Sequence, residues 1–200
     1  MTMAASLPVF GGAVFTRWGR KSCPEMSKII YRGQMVGPDA YSVGGGSNFQ
    51  CLPLDPDLAP SEAGTNARYN QLRPVHVSVN EVNNGIKALP HSQHLPCVTC
   101  KASQRPAQMM IPAKSRCPSG WNSEYKGYLM SSATATSNNY RMEYVCIDSK
   151  PESIRSKSSP TKWYGAVLYY ATADCDGDNN IDYCPPYKNL QPLQCVVCTK

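Results

Sequence analysis

Along the chain the apolar positions fall in short runs rich in β-branched and aromatic residues, and none keeps helical spacing for more than two turns. The runs "KIIYRGQMV" (28–36) and "SEYKGYLM" (123–130) read as strands. In "RPVHVSVNEV" (73–82), Val75, Val77 and Val79 alternate with His76, Ser78 and Asn80. That is the period of a half-buried strand with its polar set, His76 included, turned outward. Its counterpart "KWYGAVLYYAT" (162–172) is apolar on both faces, so it is expected to be the more buried of the two. Seventeen prolines punctuate the rest, and "SSATATSNN" (131–139) and "SKPESIRSKSSPTK" (149–162) read as loops. The pattern predicts an all-β fold with long loops.

The pattern also occurs twice. "CPEMSKIIYRG" from Cys23 aligns without a gap with "CPSGWNSEYKG" from Cys117. "NFQCLPLDPD" around Cys51 matches "EYVCIDSKPE" around Cys146, and "LPCVTCK" (95–101) matches "LQCVVCTK" (193–200). The offsets are 94, 95 and 98 residues, a one-way drift of the kind small insertions produce. The chain therefore divides into an extension (1–13), a first unit (14–101), a linker (102–107) and a second unit (108–200). Each unit has too few strands for an ample core of its own. Two disulfide-stapled β subdomains packed about a pseudo-twofold axis are the expected architecture.

Ten cysteines among 200 residues favour a secreted disulfide framework, although spacing alone leaves 945 pairings open. Each unit closes on a CxxC, which can be a redox pair, half a zinc site or the ends of two disulfides. The redox reading is weak, because neither CxxC opens a helix in a βαβ setting. For zinc, "HSQHLPCVTC" offers His91, His94, Cys97 and Cys100. Four ligands within ten residues can hardly surround a tetrahedral ion, Pro96 prevents a helix from presenting them, and the second unit has no histidine here.

The formal charge of +6 is mild and its Lys and Arg are scattered, which argues against a nucleic-acid partner. No apolar run approaches a membrane span, and no N-x-[ST] sequon occurs. The first twenty residues do not read as a signal peptide, since they lack a basic start and Pro8, Gly11 and Gly12 interrupt the apolar stretch. No nucleophile, carboxylate pair or nucleotide-binding loop has a recognisable setting, so the chain is not read as an enzyme.

One stretch resembles a site. In "DCDGDNNIDYC" (174–184), Asp174, Asp176, Asp178 and Asp182 fall at positions 1, 3, 5 and 9 of an EF-hand-like loop, with Ile181 at position 8. Gly177 comes one place early, Asn179 takes the turn position, and Pro185 stands where the closing acid belongs. A calcium site is one reading of this loop, and a solvated Asp/Asn/Gly turn is the other. No cofactor is required.

The ordered set "GGGSNFQCLP" (44–53), "CPSGWNSEYKGYLM" (117–130), "CPPY" (184–187) and "CVVCTK" (195–200) resembles the C-terminal non-collagenous domain of type IV collagen. It is more similar still to the C-terminal domain of invertebrate short-chain, spongin-type collagens. The resemblance covers nearly the whole chain, in tandem. It implies that the first cysteine of each unit pairs with the last, and the second with the second-last: Cys23–Cys100, Cys51–Cys97, Cys117–Cys198 and Cys146–Cys195. Cys175 and Cys184, found only in the second unit, are then left to pair with each other. There are departures. The first unit lacks the small inner bridge, and the 14 glycines show no G-X-Y period, so there is no collagenous arm within this chain. The function implied is a secreted matrix module that acts by self-association into a homo-oligomer or by binding matrix proteins. The alternative is a secreted ligand- or carbohydrate-binding protein, calcium-dependent through the Asp loop, with its twelve Tyr and with Trp18, Trp121 and Trp163 available to stack on glycans.

Overall fold

The computed structural model describes residues 11–39, 46–58, 72–77, 93–132, 142–154, 165–175 and 184–200, and every regular element among them is a strand. The first unit supplies β1 (Val14–Trp18), β2 (Ser27–Pro38), β3 (Gln50–Pro53), β4 (Leu72–Pro74), β5 (His76–Val77) and β6 (Pro96–Ala102). The second supplies β7 (Gln108–Pro112), β8 (Asn122–Ser132), β9 (Val145–Asp148), β10 (Val167–Tyr170) and β11 (Gln194–Thr199).

The sequence repeat is written into the backbone. In the first unit the strands pair antiparallel in the order β3-β2-β6-β1, and in the second in the order β9-β8-β11-β7. Individual hydrogen bonds repeat as well. Met35 N–H donates to the Leu95 carbonyl and Leu129 N–H to that of Leu193, both at 2.9 Å. Val75 N–H donates to the Met35 carbonyl at 3.0 Å, and Ala171 N–H to that of Leu129 at 2.9 Å.

Even the irregularities coincide. Between Ile29 and Tyr31 the register of β2 against β6 slips by the extra residue Ile30. Between Ser123 and Tyr125 the register of β8 against β11 slips by Glu124, which aligns with Ile30. Each slip is a bulge that bends a long strand. Past the bulge each strand carries a glycine for close approach. A Cβ on Gly33 would overlap the Leu52 carbonyl oxygen, and one on Gly127 would overlap that of Ile147 more deeply.

The units join at two parallel pairings, β1 with β9 (Trp18 opposite Ile147) and β5 with β10 (Val167 opposite His76), within one mixed eleven-stranded sheet. The core is shared accordingly. Met35, Phe49, Val75, Val77 and Leu95 pack with Met130, Met142, Val145, Ile147, Leu168 and Tyr170, and a second cluster joins Phe15, Val98 and Cys100 to Tyr125, Leu129, Cys146 and Val197. Neither unit encloses its own interior, which meets the shortage of strands per unit.

The expected burial of the two central segments is reversed. Val75, His76 and Val77 are all buried, so His76 does not face solvent. The chain at 93–95 covers the second face of this segment: Leu95 N–H donates to the Val75 carbonyl, and the His94 ring stands against the His76 ring. In β10, by contrast, Leu168 and Tyr170 point inward while Val167 and Tyr169 are half-buried. Alternation in the sequence describes one sheet face, and a covering loop can bury the other.

Candidate functional site

Cys23–Cys100, Cys51–Cys97, Cys117–Cys198, Cys146–Cys195 and Cys175–Cys184 are disulfides, and no cysteine is free. These are the pairs that the collagen-domain resemblance implies. The two cysteines of each CxxC lie three apart on a strand, so they point to opposite faces and reach different partners. Oxidised sulfurs are not metal-binding thiolates, so Cys97 and Cys100 cannot join His91 and His94 around zinc, and the CxxC pairs are not redox centres. Five disulfides need an oxidising compartment. Among the described residues no helix is long and apolar enough to cross a membrane.

Of the acidic loop, Asp174 is exposed just before the Cys175–Cys184 bridge, and Cys175 N–H donates to Asn189 Oδ1 at 2.9 Å. Asp176, Asp178 and Asp182 lie outside the described residues, as do His91 and Trp163. Among the described residues no three His, Cys, Asp or Glu side chains are grouped to hold a metal ion. Trp18 packs against the core, and Trp121 is half-buried.

The densest polar chemistry lies at the seam between the units. From β1, Arg17 Nε and Nη2 reach Asp148 Oδ2 at the end of β9, at 2.8 and 2.7 Å, and Asp148 is almost wholly buried. The Arg17 guanidinium also sits 5.7 Å from the centre of the Tyr125 ring. β1 and β9 diverge away from Trp18, and the Tyr125 hydroxyl fills the gap, 3.1 Å from both the Thr16 and the Cys146 carbonyl oxygens. Its single proton can go to only one of them at a time. Burial pushes its phenol far above the usual range. Nearby, Arg20 pairs with Glu152 at 3.5 Å, and Glu152 also accepts the Lys21 amide at 2.8 Å.

A second cluster closes the seam from the linker, which the sequence presents only as a spacer. Arg105 is buried there. Its Nη2 donates to Glu124 Oε1 at 2.8 Å and to the Met26 carbonyl at 3.2 Å, and its Nε to Thr199 Oγ1 at 2.7 Å. Glu124 also accepts from Thr199 at 2.5 Å and, through its other oxygen, from Ser27 at 2.8 Å. A buried charge needs such partners. The one sequence signal for this cluster is Glu124 itself, a carboxylate at the bulge where the first unit has Ile30.

The repeat makes the seam informative, because each surface in it has an aligned twin. On the second unit, Glu124, Tyr125 and β9 are covered by β1 and the linker, and all four residues of β9 are buried. Their twins on the first unit are Ile30, Tyr31 and β3. Here Ile30 is 51% exposed, Leu52 41% and Leu54 65%, and among the described strands β3 pairs with β2 alone. The twin of β1 is β7, which among the described strands pairs with β11 alone. A groove of about 360 Å³ lies between β1, β9 and the edge of β7, lined by Phe15, Trp18, Met110, Tyr125, Tyr144 and Val197 among others. The covered seam carries Arg17 and Asp148. The aligned positions on the uncovered pair hold Ile111 and Pro53.

A comparison with known protein families finds no family model that matches this chain.

Proposed function

We propose that this protein is an extracellular assembly module, without catalytic activity, that self-associates head to tail: β7 of one copy docks on β2 and β3 of the next. The observation that carries this reading is the exposure of Ile30, Leu52 and Leu54 on the twin of a surface that the chain covers in its other half. Two edge strands left open are pairing templates, and an apolar pair in place of a salt bridge lowers the desolvation cost of a contact between molecules. Such an interface is heterologous, so it closes into a ring when the rotation allows. The five disulfides and the resemblance to the non-collagenous domains of collagens support the extracellular setting and the structural role.

The test uses two variants, Leu52→Asp and Ile111→Asp, with mass measured by light scattering after gel filtration. The wild type is expected to run as an oligomer, and each variant as a monomer that still unfolds in one cooperative transition. Mixed together, the two variants are expected to give a heterodimer and nothing larger. One retains an intact β7 and the other an intact β3 face. A monomeric wild type at high micromolar concentration overturns the proposal, as does a mixture that stays monomeric.

A further inference from the structure

We propose that the His76–His94 contact is an acid-sensitive catch: neutral, it holds the first unit's inner segments against the second unit, and protonated, it releases them. The proposal is independent of the self-association described above.

The geometry comes first. The two rings meet edge to face with centroids 4.7 Å apart. His76 is buried, and His94 Nδ1 lies 2.9 Å from Gln34 Nε2 on β2. Both residues sit where the units are stitched. His76 N–H donates to the Ala166 carbonyl at 3.0 Å, just before β10. His94 N–H donates to the Ile154 carbonyl at 3.1 Å, and Ile154 N–H returns to the His94 carbonyl at 2.8 Å. The aligned positions of the second unit, Thr172 and Pro192, also meet as a bridge, but neither can titrate. The titratable pair is therefore peculiar to the first unit, and the backbone bonds of both residues cross the seam.

The electrostatics follow from the site. Gln34, from β2, is neutral. Among the described residues, the charged side chains on the surrounding segments are engaged with partners of their own: Arg73 on β4 with Asp39 at 3.1 Å, and Glu152, two residues before Ile154, with Arg20. Desolvation, and then the charge of His94, lower the His76 pKa from 6.5 to about 4, against a backbone hydrogen bond at Gln93 that raises it. Desolvation also lowers that of His94. A depressed histidine pKa means that the opened form binds the proton more tightly. The stability contributed by the neutral pair is then complete above about pH 6.5 and is lost as the pH falls toward 4. At pH 5, His76 alone shifts the opening equilibrium about thirtyfold relative to pH 8. The disulfides, which lie within each unit, do not oppose the release.

Amide hydrogen exchange of the full chain at pH 7.5 and 5.0, corrected for intrinsic rates, reads the catch directly. The amides of His76, His94 and Ile154 are expected to lose at least about thirtyfold in protection in acid, while those of Cys100 and Cys198 keep theirs. Uniform loss, or none, overturns the proposal. So does a His76 ring proton that titrates near 6.5 in the folded protein. His76→Thr, copying Thr172, combined with His94→Gln is expected to abolish the acid response at Ile154. An unchanged response in that variant overturns it as well.

Discussion

Replacement of Arg105 by alanine is expected to lower stability by ~3–5 kcal/mol, the cost of leaving a buried carboxylate without its partner. Arg105 and Glu124 keep only 9% and 2% of their side-chain surface, so water cannot stand in for the guanidinium. In Arg105→Ala the Glu124 carboxylate retains Ser27 and Thr199 as donors, but its countercharge is gone. For a chain of this length the melting temperature should fall by roughly 10 °C, at about 2–4 °C per kcal/mol. Glu124→Ala should cost about as much, because it strands the arginine instead. The double variant should cost clearly less than the sum, since the two residues act as a unit. Glu124→Ile, which copies Ile30, removes the carboxylate and leaves Arg105 buried and unpaired, so with Arg105→Leu added it should recover much of the loss. Thermal denaturation of these variants measures this. Additive losses would show that the cluster is not coupled.

Gly127→Ala is expected to be the most damaging glycine-to-alanine change among the described glycines, and Gly33→Ala markedly milder although the two glycines are aligned. A Cβ on Gly127 would penetrate the Ile147 carbonyl oxygen too deeply for any rotamer change to relieve, so the β8–β9 pairing must part. β9 cannot move aside. It is held by Cys146–Cys195, by the Arg17–Asp148 pair and by β1 on its other edge. The cost should exceed ~3 kcal/mol, beyond the usual range for overpacking, and the yield of folded protein should drop. At Gly33 the clash is with the Leu52 carbonyl of β3, which is tied by Cys51–Cys97 but among the described strands has no neighbour on its other edge, and a cost of ~1–3 kcal/mol is expected. Chemical denaturation of the two variants, each in the Ile111→Asp background that keeps the molecule monomeric, decides it. Equal losses would mean that β3 is clamped as firmly as β9 within a single copy.

The strands around Cys23, Cys51, Cys117 and Cys146 are legible in the sequence because apolar periodicity and cysteine spacing are local signals, and because the chain repeats them. The disulfide set is legible only through the resemblance, since spacing alone leaves the pairings degenerate. The seam is not legible. Arg105 lies in a stretch that reads as polar linker, and nothing local indicates that its guanidinium meets a carboxylate 19 residues on and a threonine 94 residues on. Alternation assigns His76 to the solvent side because it reports a single sheet face. The second face is closed by residues 93–95, which are contiguous with His76 only in space.

By itself, then, the sequence determined the class of the fold, the twofold repetition and an oxidising setting. Each of these rests on the chemistry of residues near one another in the chain, or on the comparison of one unit with its copy. The tertiary structure alone decided where the bulges fall, which glycines meet a neighbouring strand, and which copy of each repeated surface is covered. Glu124 and Ile30 occupy the same bulge, and Asp148 and Pro53 the same strand end, yet one set is buried against β1 and Arg105 and the other faces outward. That asymmetry comes from packing two like units in a single chain. Only one of the two possible unit-to-unit contacts forms within the molecule, and Ile30, Leu52 and Leu54 of the twin face are left exposed.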